Sequence, residues 1–453
     1  MIKVHLFREC QMKRTMKGST KKIKIQSTAK GLSAQAGMIP VVHFLKKHKL
    51  YKQLNQNLGL KRADNAKWQL SDVVYLTTTA TIAGARALSS VKTVWADSVL
   101  RKIDGWESIP DDTTLSRVFK QCTDSEVKTL QDLNHALRHK MWEQLFSQNK
   151  ASLKRRKSHW VDIDSTVKTV YGKQEGAKKG YNTHKKGANS YHPLLAFSAH
   201  TKEIIQGCFR NGNIYSSAGS VEFIQQLQRS FKNLRMILRG DSAFFDNKLI
   251  NTLEQRGDGY LFKVKLKNLK LLLEKQTWRC VRNKAGWEQC QFEYACSTWK
   301  KPRQFVAVRK VLPEKENAQL NFYNPTEYDY FCYVSSENMS PWKTHKTYGQ
   351  RATCETWIEE SKNQMALAHI KTSSFTANAV IFQCAVLAYN FVRWMAAMSM
   401  NKKLKSWEPQ TVRCFLIRVA GKLTQGSRQL LLNTPDKLLH QKQWDDWLKF
   451  AFT

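Results

Sequence analysis

Hydrophobic and polar residues between positions 158 and 264 follow patterns that predict strands and helices in turn. Apolar and acidic residues alternate from His159 to Asp164, as in a strand with one buried face. Similar patterns predict further strands at 191–200, 203–209, 234–238 and 260–264, and helices at 221–231 and 247–255. The predicted order is therefore β-β-β-α-β-α-β.

This order is that of a ribonuclease-H-like core, so the fold class is predicted to be α/β. The core is expected to comprise residues 151–265 and 338–400. Residues 266–337 between these two parts are rich in aromatic residues and strand formers, which predicts a β-rich insertion. The apolar stretch 379–400 is interrupted by Gln383, Asn390 and Arg393, so it is predicted to be a buried helix and not a membrane span.

The regions on either side of the core are predicted to be helical. In residues 36–150, apolar pairs recur at three-to-four spacing, and Asp111-Asp112 precedes Thr114 and Arg117 as at a helix start. Short helices with basic faces suit a helix-turn-helix DNA-binding region that includes Arg117. A helical bundle with a solvated basic face fits this pattern equally well. Residues 401–453 are predicted to form a basic, helical C-terminal region.

The charge of the chain narrows its possible partners. The 453 residues include 74 Lys and Arg against 36 Asp and Glu, a net charge of +38. Such a chain would repel itself without a polyanionic partner, and nucleic acid is the expected one. A ribosomal or anionic-membrane role would also fit the charge alone. Residues 1–35 are predicted to be a basic arm, either ordered by phosphate contacts or a solvated tail.

The cysteines and the N-terminus indicate where the protein functions. No two of the ten cysteines form a C-x-x-C pair, and Cys280, Cys290 and Cys296 are irregularly spaced, so they are interpreted as reduced thiols. The basic N-terminus lacks the apolar run of a signal peptide. We expect a cytoplasmic, nucleoid-associated protein with no membrane partner and no small-molecule cofactor.

Four residues near position 355 form the sharpest local pattern. On an ideal helix, Tyr348, Arg351, Glu355 and Lys362 would share a stripe roughly 60° wide. Such a stripe could place a carboxylate at a metal ion and cations at neighbouring phosphates. On spacing alone, a solvated helix face with an Arg351–Glu355 pair is the more probable interpretation.

Two aspartates at predicted strand ends add to this pattern. Asp164 ends the first strand and Asp241 follows Gly240 at the end of another. Carboxylates so placed, together with one on a helix, could supply oxygen ligands for Mg²⁺. Each aspartate alone is equally compatible with turn chemistry. Asp162 is an alternative to Asp164, because strand periodicity places both on the same face.

The spacing of Tyr348, Arg351, Glu355 and Lys362 resembles the Tyr-Arg-Glu-Lys signature of a large group of bacterial insertion-sequence DDE transposases. Residues 161–166 resemble the segment around the first aspartate of that group, and residues 238–242 resemble the segment around the second. The segments 174–176, 192–195, 387–390 and 411–413 look like further family segments. The resemblance extends over about residues 70–435.

The resemblance implies a role for each matched residue. Asp164, Asp241 and Glu355 would be catalytic and bind two Mg²⁺ ions, with Mn²⁺ as a substitute, and Asp164 is preferred because Ser-Thr follows it as in the family. Tyr348, Arg351 and Lys362 would hold double-stranded DNA, the element ends and the target. Relatives with this signature form hairpin ends.

In such relatives a tryptophan in the β-insertion stacks on a flipped base, and the candidates here are Trp278, Trp287, Trp299 and Trp342. Core packing is the more probable role of each of them. A homodimer in a synaptic complex is also expected. The rival hypotheses are a nuclease of the same fold that never joins DNA, and a catalytically silent DNA-binding regulator.

Overall fold

The structure is a computed structural model that describes residues 28–148, 158–180, 182, 185–231, 234–312, 327–370 and 372–452. Of the predicted basic arm, residues 1–27 lie outside the described residues. Its last part forms a short strand, β1 (Leu32–Ser33).

The predicted helical region after this strand is confirmed. Its helices are α1 (Met38–Lys47), α2 (Leu50–Asn57), α3 (Leu70–Ala83), α4 (Leu88–Trp95), α5 (Ser98–Asp104), α6 (Asp112–Phe119) and α7 (Asp124–Gln148). Asp72 caps the start of α3 by accepting the Gln69 N–H at 2.7 Å, and Gly84 ends the helix with a φ of 114°. Every residue of α3 is buried, so this helix belongs to the protein core.

The predicted order of strands and helices from 158 to 264 is also confirmed. The strands are β2 (Ser158–Ser165), β3 (Lys168–Thr169), β4 (Lys178–Lys179), β5 (Asn189–Tyr191), β6 (Leu194–Ser198), β7 (Ile204–Cys208), β8 (Arg235–Gly240) and β9 (Gly259–Lys263), and the helices are α8 (Ser220–Arg229) and α9 (Asn247–Arg256). The short strands β3, β5 and β4 form a small sheet of their own. The predicted strand 191–200 is interrupted at His192-Pro193, because proline has no N–H to donate to a ladder.

The long strands form the centre of one mixed sheet. Their spatial order is β7-β6-β2-β8-β9. β2, β8 and β9 are parallel, and β6 is antiparallel to both β2 and β7. The parallel pairing of β2 with β8 ends at Asp162 opposite Arg239. The ends of these two strands therefore bring Asp164 and Asp241 to the same edge of the sheet.

The outer edge of β7 is covered by polar side chains of neighbouring helices. Asn390 donates to the Ile204 carbonyl at 2.8 Å and accepts the Ile204 N–H at 2.8 Å. Gln383 donates to the Gly207 carbonyl at 2.9 Å, and Arg138 of α7 donates to another carbonyl of this strand at 2.7 Å. These contacts satisfy the backbone groups of an edge strand and so block further strand addition there.

The predicted β-rich insertion extends the same sheet. It contains the short helix α10 (Leu269–Glu274) and the strands β10 (Arg279–Cys280), β11 (Trp287–Tyr294), β12 (Arg303–Val311) and β13 (Tyr328–Ser335). β13 pairs antiparallel with β9, and the order β10-β11-β12-β13-β9 completes a nine-stranded sheet. The insertion is thus continuous with the core through backbone hydrogen bonds.

The segment that carries Tyr348 to Lys362 is not one straight helix, which corrects the prediction. α11 (Pro341–Gly349) ends after Tyr348, α12 (Ala352–Glu359) starts after Arg351, and residues Glu360–Gln364 form a π-helical turn. The long helix α13 (Phe375–Met398) follows and is almost wholly buried, although its length and composition would allow it to span a membrane. The prediction of a buried core helix is confirmed.

The prediction that the C-terminal region is wholly helical is wrong. The region contains α14 (Lys402–Ser406), α15 (Pro409–Val412), a π-helical turn (Arg413–Ile417) and α16 (Gln441–Phe452), but also a hairpin of β14 (Gly421–Gln425) and β15 (Leu430–Asn433). β14 pairs with β1, so the two ends of the described chain meet in a three-stranded sheet. Ser427 and Arg428 form the turn between the two strands, closed by the Gly426 N–H, which donates to the Gln429 carbonyl at 2.9 Å.

Candidate active site

Asp162 and Asp164 lie on β2 but have different partners. Asp162 is completely buried, and its two carboxylate oxygens accept hydrogen bonds from Nε and Nη2 of Arg239 at 2.5 and 2.8 Å. Asp164 is 15% exposed and forms an ion pair of 2.6 Å with Nη2 of Arg351. Because Arg239 occupies both oxygens of Asp162, only Asp164 of this pair lies at the open edge of the sheet.

Arg239 is a site residue whose role the sequence reasoning missed. Its guanidinium joins Asp162 of β2 and also donates to the Thr347 carbonyl in α11. It therefore connects the two strands that end in Asp164 and Asp241 with the helix that carries Tyr348. The available signal was its position immediately before Gly240-Asp241, which puts it in register with Asp162.

Asp241 lies where β8 leaves the sheet. Its Oδ1 accepts the Ala243 N–H at 2.9 Å and caps the 3-10 turn Ser242–Phe244. Gly240 precedes it, and a Cβ atom at that position would lie 3.0 Å from Ile163 Cγ2 and 3.1 Å from the Phe244 ring. The glycine thus lets the turn fold closely against β2, which keeps Asp241 near the end of that strand.

Arg351 joins the strand side of the site to the helical side. Its Nη1 lies 3.4 Å from Oε1 of Glu355, which is one turn further along and 67% exposed. Nε of Arg351 is buried and has no hydrogen-bond partner among the described residues. The guanidinium is therefore placed between two candidate metal ligands and still has donor capacity.

The electrostatics show that the three candidate carboxylates share one environment. Burial raises the pKa of Asp164 to about 6; Arg351 opposes this effect, and the charges of Asp241 and Glu355 add to it. Burial also raises the pKa of Tyr348 to about 12, which Arg351 opposes and the charges of Asp241, Asp164 and Glu355 increase. Tyr348, Arg351 and the three carboxylates thus influence one another electrostatically, and Arg351 directly contacts Asp164 and Glu355.

The other two predicted DNA-binding residues lie apart from this cluster. Lys362, in the π-helical turn, lines a small crevice with Thr166 and Lys168, just beyond the end of β2. Arg117 lies on α6, in a groove of about 560 Å³ whose lining also includes Lys120 of the α6 C-cap. Among the described residues no ion pair or hydrogen bond joins Arg117 to the candidate carboxylates.

The donor set suits a hard divalent cation, although it is not arranged around one. Carboxylate oxygens of Asp164, Asp241 and Glu355 are the ligands that Mg²⁺ and Mn²⁺ prefer. In the described part of the chain, however, no group of three or more His, Cys, Asp or Glu residues is placed to hold a metal ion. Arg351 is the positive charge that contacts two of these carboxylates, Asp164 and Glu355.

Contacts separate the four candidate tryptophans into two pairs. Trp278 donates to the Leu273 carbonyl, and Trp299 packs on Phe305. Trp287 and Trp342 instead contact each other, with ring centroids 5.1 Å apart. Both also contact His345, which continues through Tyr333 to Tyr348 in a chain of adjacent rings. Among the described residues, a chain of ring contacts thus links Trp287 and Trp342, but not Trp278 or Trp299, to Tyr348.

The mixed sheet thus carries Asp164 and Asp241 at the ends of two neighbouring strands, beside a helical segment with the Arg351–Glu355 pair. Comparison with known families identifies the family of the chain. The profile of the family "Transposase DDE domain group 1" matches residues 15–449, and the chain belongs to this family. The protein is therefore a transposase, an enzyme of a family that generally uses divalent metal ions.

No curated protein matches the chain. Among solved structures it is similar to the piggyBac transposase synaptic complex with hairpin DNA, at 13% identity and a TM-score of 0.43, over 83% of this chain and 79% of that one.

Proposed function

We propose that this transposase cuts DNA at the ends of a bacterial insertion sequence and joins the freed 3′-OH groups to target DNA. The observation that carries this proposal is the ion-pair cluster at the edge of the sheet, where Arg351 contacts both Asp164 and Glu355. The charge of Asp241 also acts on Asp164, because it raises the pKa of that carboxyl. Binding alone has no use for carboxylates beside phosphates, which they repel. The cluster therefore favours catalysis over a silent regulator.

The central sheet supports a ribonuclease-H-like assignment. When the five strands are counted along the chain, their spatial order is third, second, first, fourth, fifth, and only the second is antiparallel to the others. In this proposal the first strand supplies Asp164, the fourth supplies Asp241, and the helix after the insertion supplies Glu355.

In this proposal Asp164, Asp241 and Glu355 hold two Mg²⁺ ions. The bound ions would lower the pKa of the attacking water or 3′-OH and neutralise the charge on the leaving oxygen. Arg351 would then pair with a DNA phosphate, and its unpartnered Nε and its contacts at 2.6 and 3.4 Å leave donors for that purpose. Tyr348 would contact the same backbone, and Lys362 the phosphates beyond the end of β2.

Two surfaces would hold the rest of the DNA. Arg117 and Lys120 line the open groove between α4 and α6, where they could neutralise phosphates of the terminal repeat. Trp287 and Trp342 carry Lys310 and Lys346 over their rings, an arrangement suited to stacking an unpaired base of a hairpin end. We therefore favour these two tryptophans over Trp278 and Trp299 for that role.

A strand-cleavage assay with a matched control tests the catalytic assignment. A labelled duplex with the terminal repeat of the element is incubated with target DNA and Mg²⁺. Asp241→Asn is expected to abolish cutting and to retain DNA binding, whereas Asp246→Asn, at another capping aspartate that accepts the Leu249 N–H at 3.0 Å, is expected to cut normally. Cutting by Asp241→Asn would overturn the assignment, and cutting without joined product would leave a nuclease.

A further inference from the structure

β15 is an open edge of the three-stranded sheet at the C-terminal end of the chain. Among the described residues it pairs only with β14, with Leu431 opposite Thr424 and Leu430 opposite Gln425. The outer edge of β7, in contrast, is covered by side chains of α7 and α13. Within the described parts of the chain, one sheet edge is thus protected and this one has no backbone partner on its outer side.

The register shows which backbone groups face the open edge. The Gly426 N–H donates to the Gln429 carbonyl at 2.9 Å, and hydrogen-bonded pairs alternate along an antiparallel ladder. The next hydrogen-bonded pair is therefore Thr424 with Leu431, so the N–H and C=O groups of Leu430 and Leu432 point away from β14. The Leu423 N–H agrees with this alternation, because it points to the opposite side and donates to the Gly31 carbonyl at 2.8 Å.

The side chains of β15 are mostly apolar and carry no charge, although Lys422 lies opposite Asn433 and Lys102 donates to Gln425 at 2.7 Å. Leu430 and Leu431 are exposed, the latter by 52%, and Leu32 on β1 is exposed as well. Residues 423–435 contain a single charged residue, Arg428, in a chain of net charge +38. Two copies of such a basic protein repel each other least where the contacting residues are uncharged, as the four residues of β15 are.

We infer that β15 pairs antiparallel with β15 of a second copy, about a two-fold axis at Leu431. In this register Leu430 lies opposite Leu432 of the second copy, and all the outward-facing backbone groups of both residues are bonded. Leu431 lies opposite Leu431 of the second copy in a non-hydrogen-bonded pair, where Cβ atoms approach to about 4.5–5.5 Å. An antiparallel self-pairing of this kind is the isologous contact of a C2 dimer.

The small size of this contact suggests when it forms. A strand of four residues, Leu430–Asn433, buries far less area than a stable dimer interface needs. The pairing is therefore weak between free copies and becomes favourable when two copies are held on one DNA molecule. In this respect the inference rests on the proposed function, in which two element ends are brought together.

Cysteine cross-linking tests the register directly. Cys10 and the exposed residues Cys280 and Cys414 are first replaced by serine. Leu431→Cys is then introduced, and the protein is mildly oxidised on duplex DNA. A disulfide-linked dimer that reductant reverses is expected. Two control variants are expected to give several-fold less dimer. Leu430→Cys places the thiol on the other face of the strand, and Leu439→Cys places it at a position that is 81% exposed. Equal yields at Leu431 and Leu439 would overturn the inference.

A proline variant tests the edge without disturbing the hairpin. The Leu430 N–H is not used by β14, so Leu430→Pro should leave the β14–β15 ladder intact and block only the outer pairing. In the Leu431→Cys background, Leu430→Pro is expected to lose the cross-linked dimer and Leu430→Val to keep it. An undiminished dimer with proline contradicts the register.

Two other results bear on the inference. If residues 1–27 of the same chain cover the edge, Leu431→Cys stays monomeric on DNA and the inference fails. The cross-link does not depend on strand cleavage, so a protein that dimerises through β15 but never cuts DNA would refute only the proposed function.

Discussion

The same chemical change at Asp162 and Asp164 is expected to give opposite results. Asp162→Asn keeps the shape of the side chain but removes the negative charge beside Arg239, and the side chains of this pair are 2% and 0% exposed. Asp164→Asn removes a carboxylate at the open edge of the site. The first substitution should therefore affect stability, and the second should affect metal binding and cleavage.

The contacts of Asp162 determine how much the substitution should lower the free energy of unfolding. Its two oxygens accept from Arg239 at 2.5 and 2.8 Å, and an asparagine retains only one acceptor oxygen and no charge. Removing one partner of a buried ion pair costs about 3–5 kcal/mol, because it leaves the other charge uncompensated. Asp162→Asn should therefore lower the free energy of unfolding by about that amount, without creating a cavity.

Urea denaturation in metal-free buffer, followed by circular dichroism, measures this loss. Asp164→Asn is the matched control, and it should lose less stability because Arg351 keeps Glu355 as a partner at 3.4 Å. Adding Arg239→Gln to Asp162→Asn should recover part of the stability, because it removes the unpaired charge. Titration with Mn²⁺ should show binding by Asp162→Asn and none by Asp164→Asn.

One pattern of results would refute this reasoning. If Asp162→Asn were as stable as the parent and lost Mn²⁺ binding, while Asp164→Asn still bound Mn²⁺, Asp162 would be the metal ligand. The contact with Arg239 would then have to open when metal binds.

Three further predictions concern the same site. Arg351→Gln should reduce DNA cleavage about 100-fold or more and yet tighten Mn²⁺ binding without DNA, since a competing cation is gone; unchanged Mn²⁺ affinity would contradict this competition. Because the pKa of Asp164 is raised to about 6 and only its ionised form binds metal, Mn²⁺ affinity should rise from about pH 5 to pH 7, and a flat profile would contradict it. Trp342→Ala should weaken stacking on an unpaired 2-aminopurine by about 1–3 kcal/mol, as fluorescence reports, while Trp299→Ala should not.

Local pattern predicted the core well where one face of each element is buried. The strand that carries Asp164 alternates in part between buried and half-buried residues, whereas the strand before Asp241 is buried from Met236 to Gly240 and was predicted as a short apolar run. Alternation could not separate Asp162 from Asp164. Their difference comes from Arg239, 77 residues away in sequence, whose position becomes visible only once β2 and β8 are paired.

Two predictions were wrong, those of the helix from Tyr348 to Lys362 and of the wholly helical C-terminal region, and in both cases the cause cannot be read from local pattern. The ideal-helix stripe from Tyr348 to Lys362 assumed unbroken α-geometry, whereas α11 stops at Gly349 and a π-helical turn carries Lys362. The hairpin at 421–433 lacks a clear alternation of buried and exposed residues, because Leu430 and Leu431 lie on opposite faces of the strand and are both exposed. Pairing with β1, which is remote in sequence, stabilises it there.

The two arginines of the site differ in a way that bears on how it works. Arg239 is fully enclosed and has protein partners in Asp162 and the Thr347 carbonyl, so it holds the strand ends and α11 in one arrangement. Arg351 has only the candidate metal ligands as charged partners, and one of its donors has none among the described residues. A cation held by the very groups that a metal would occupy must move when the metal binds, and a phosphate is the natural acceptor for it. Metal binding and DNA binding should therefore favour each other, because both require Arg351 to separate from Asp164 and Glu355. Once one of them has separated these residues, the other binds without that loss of free energy.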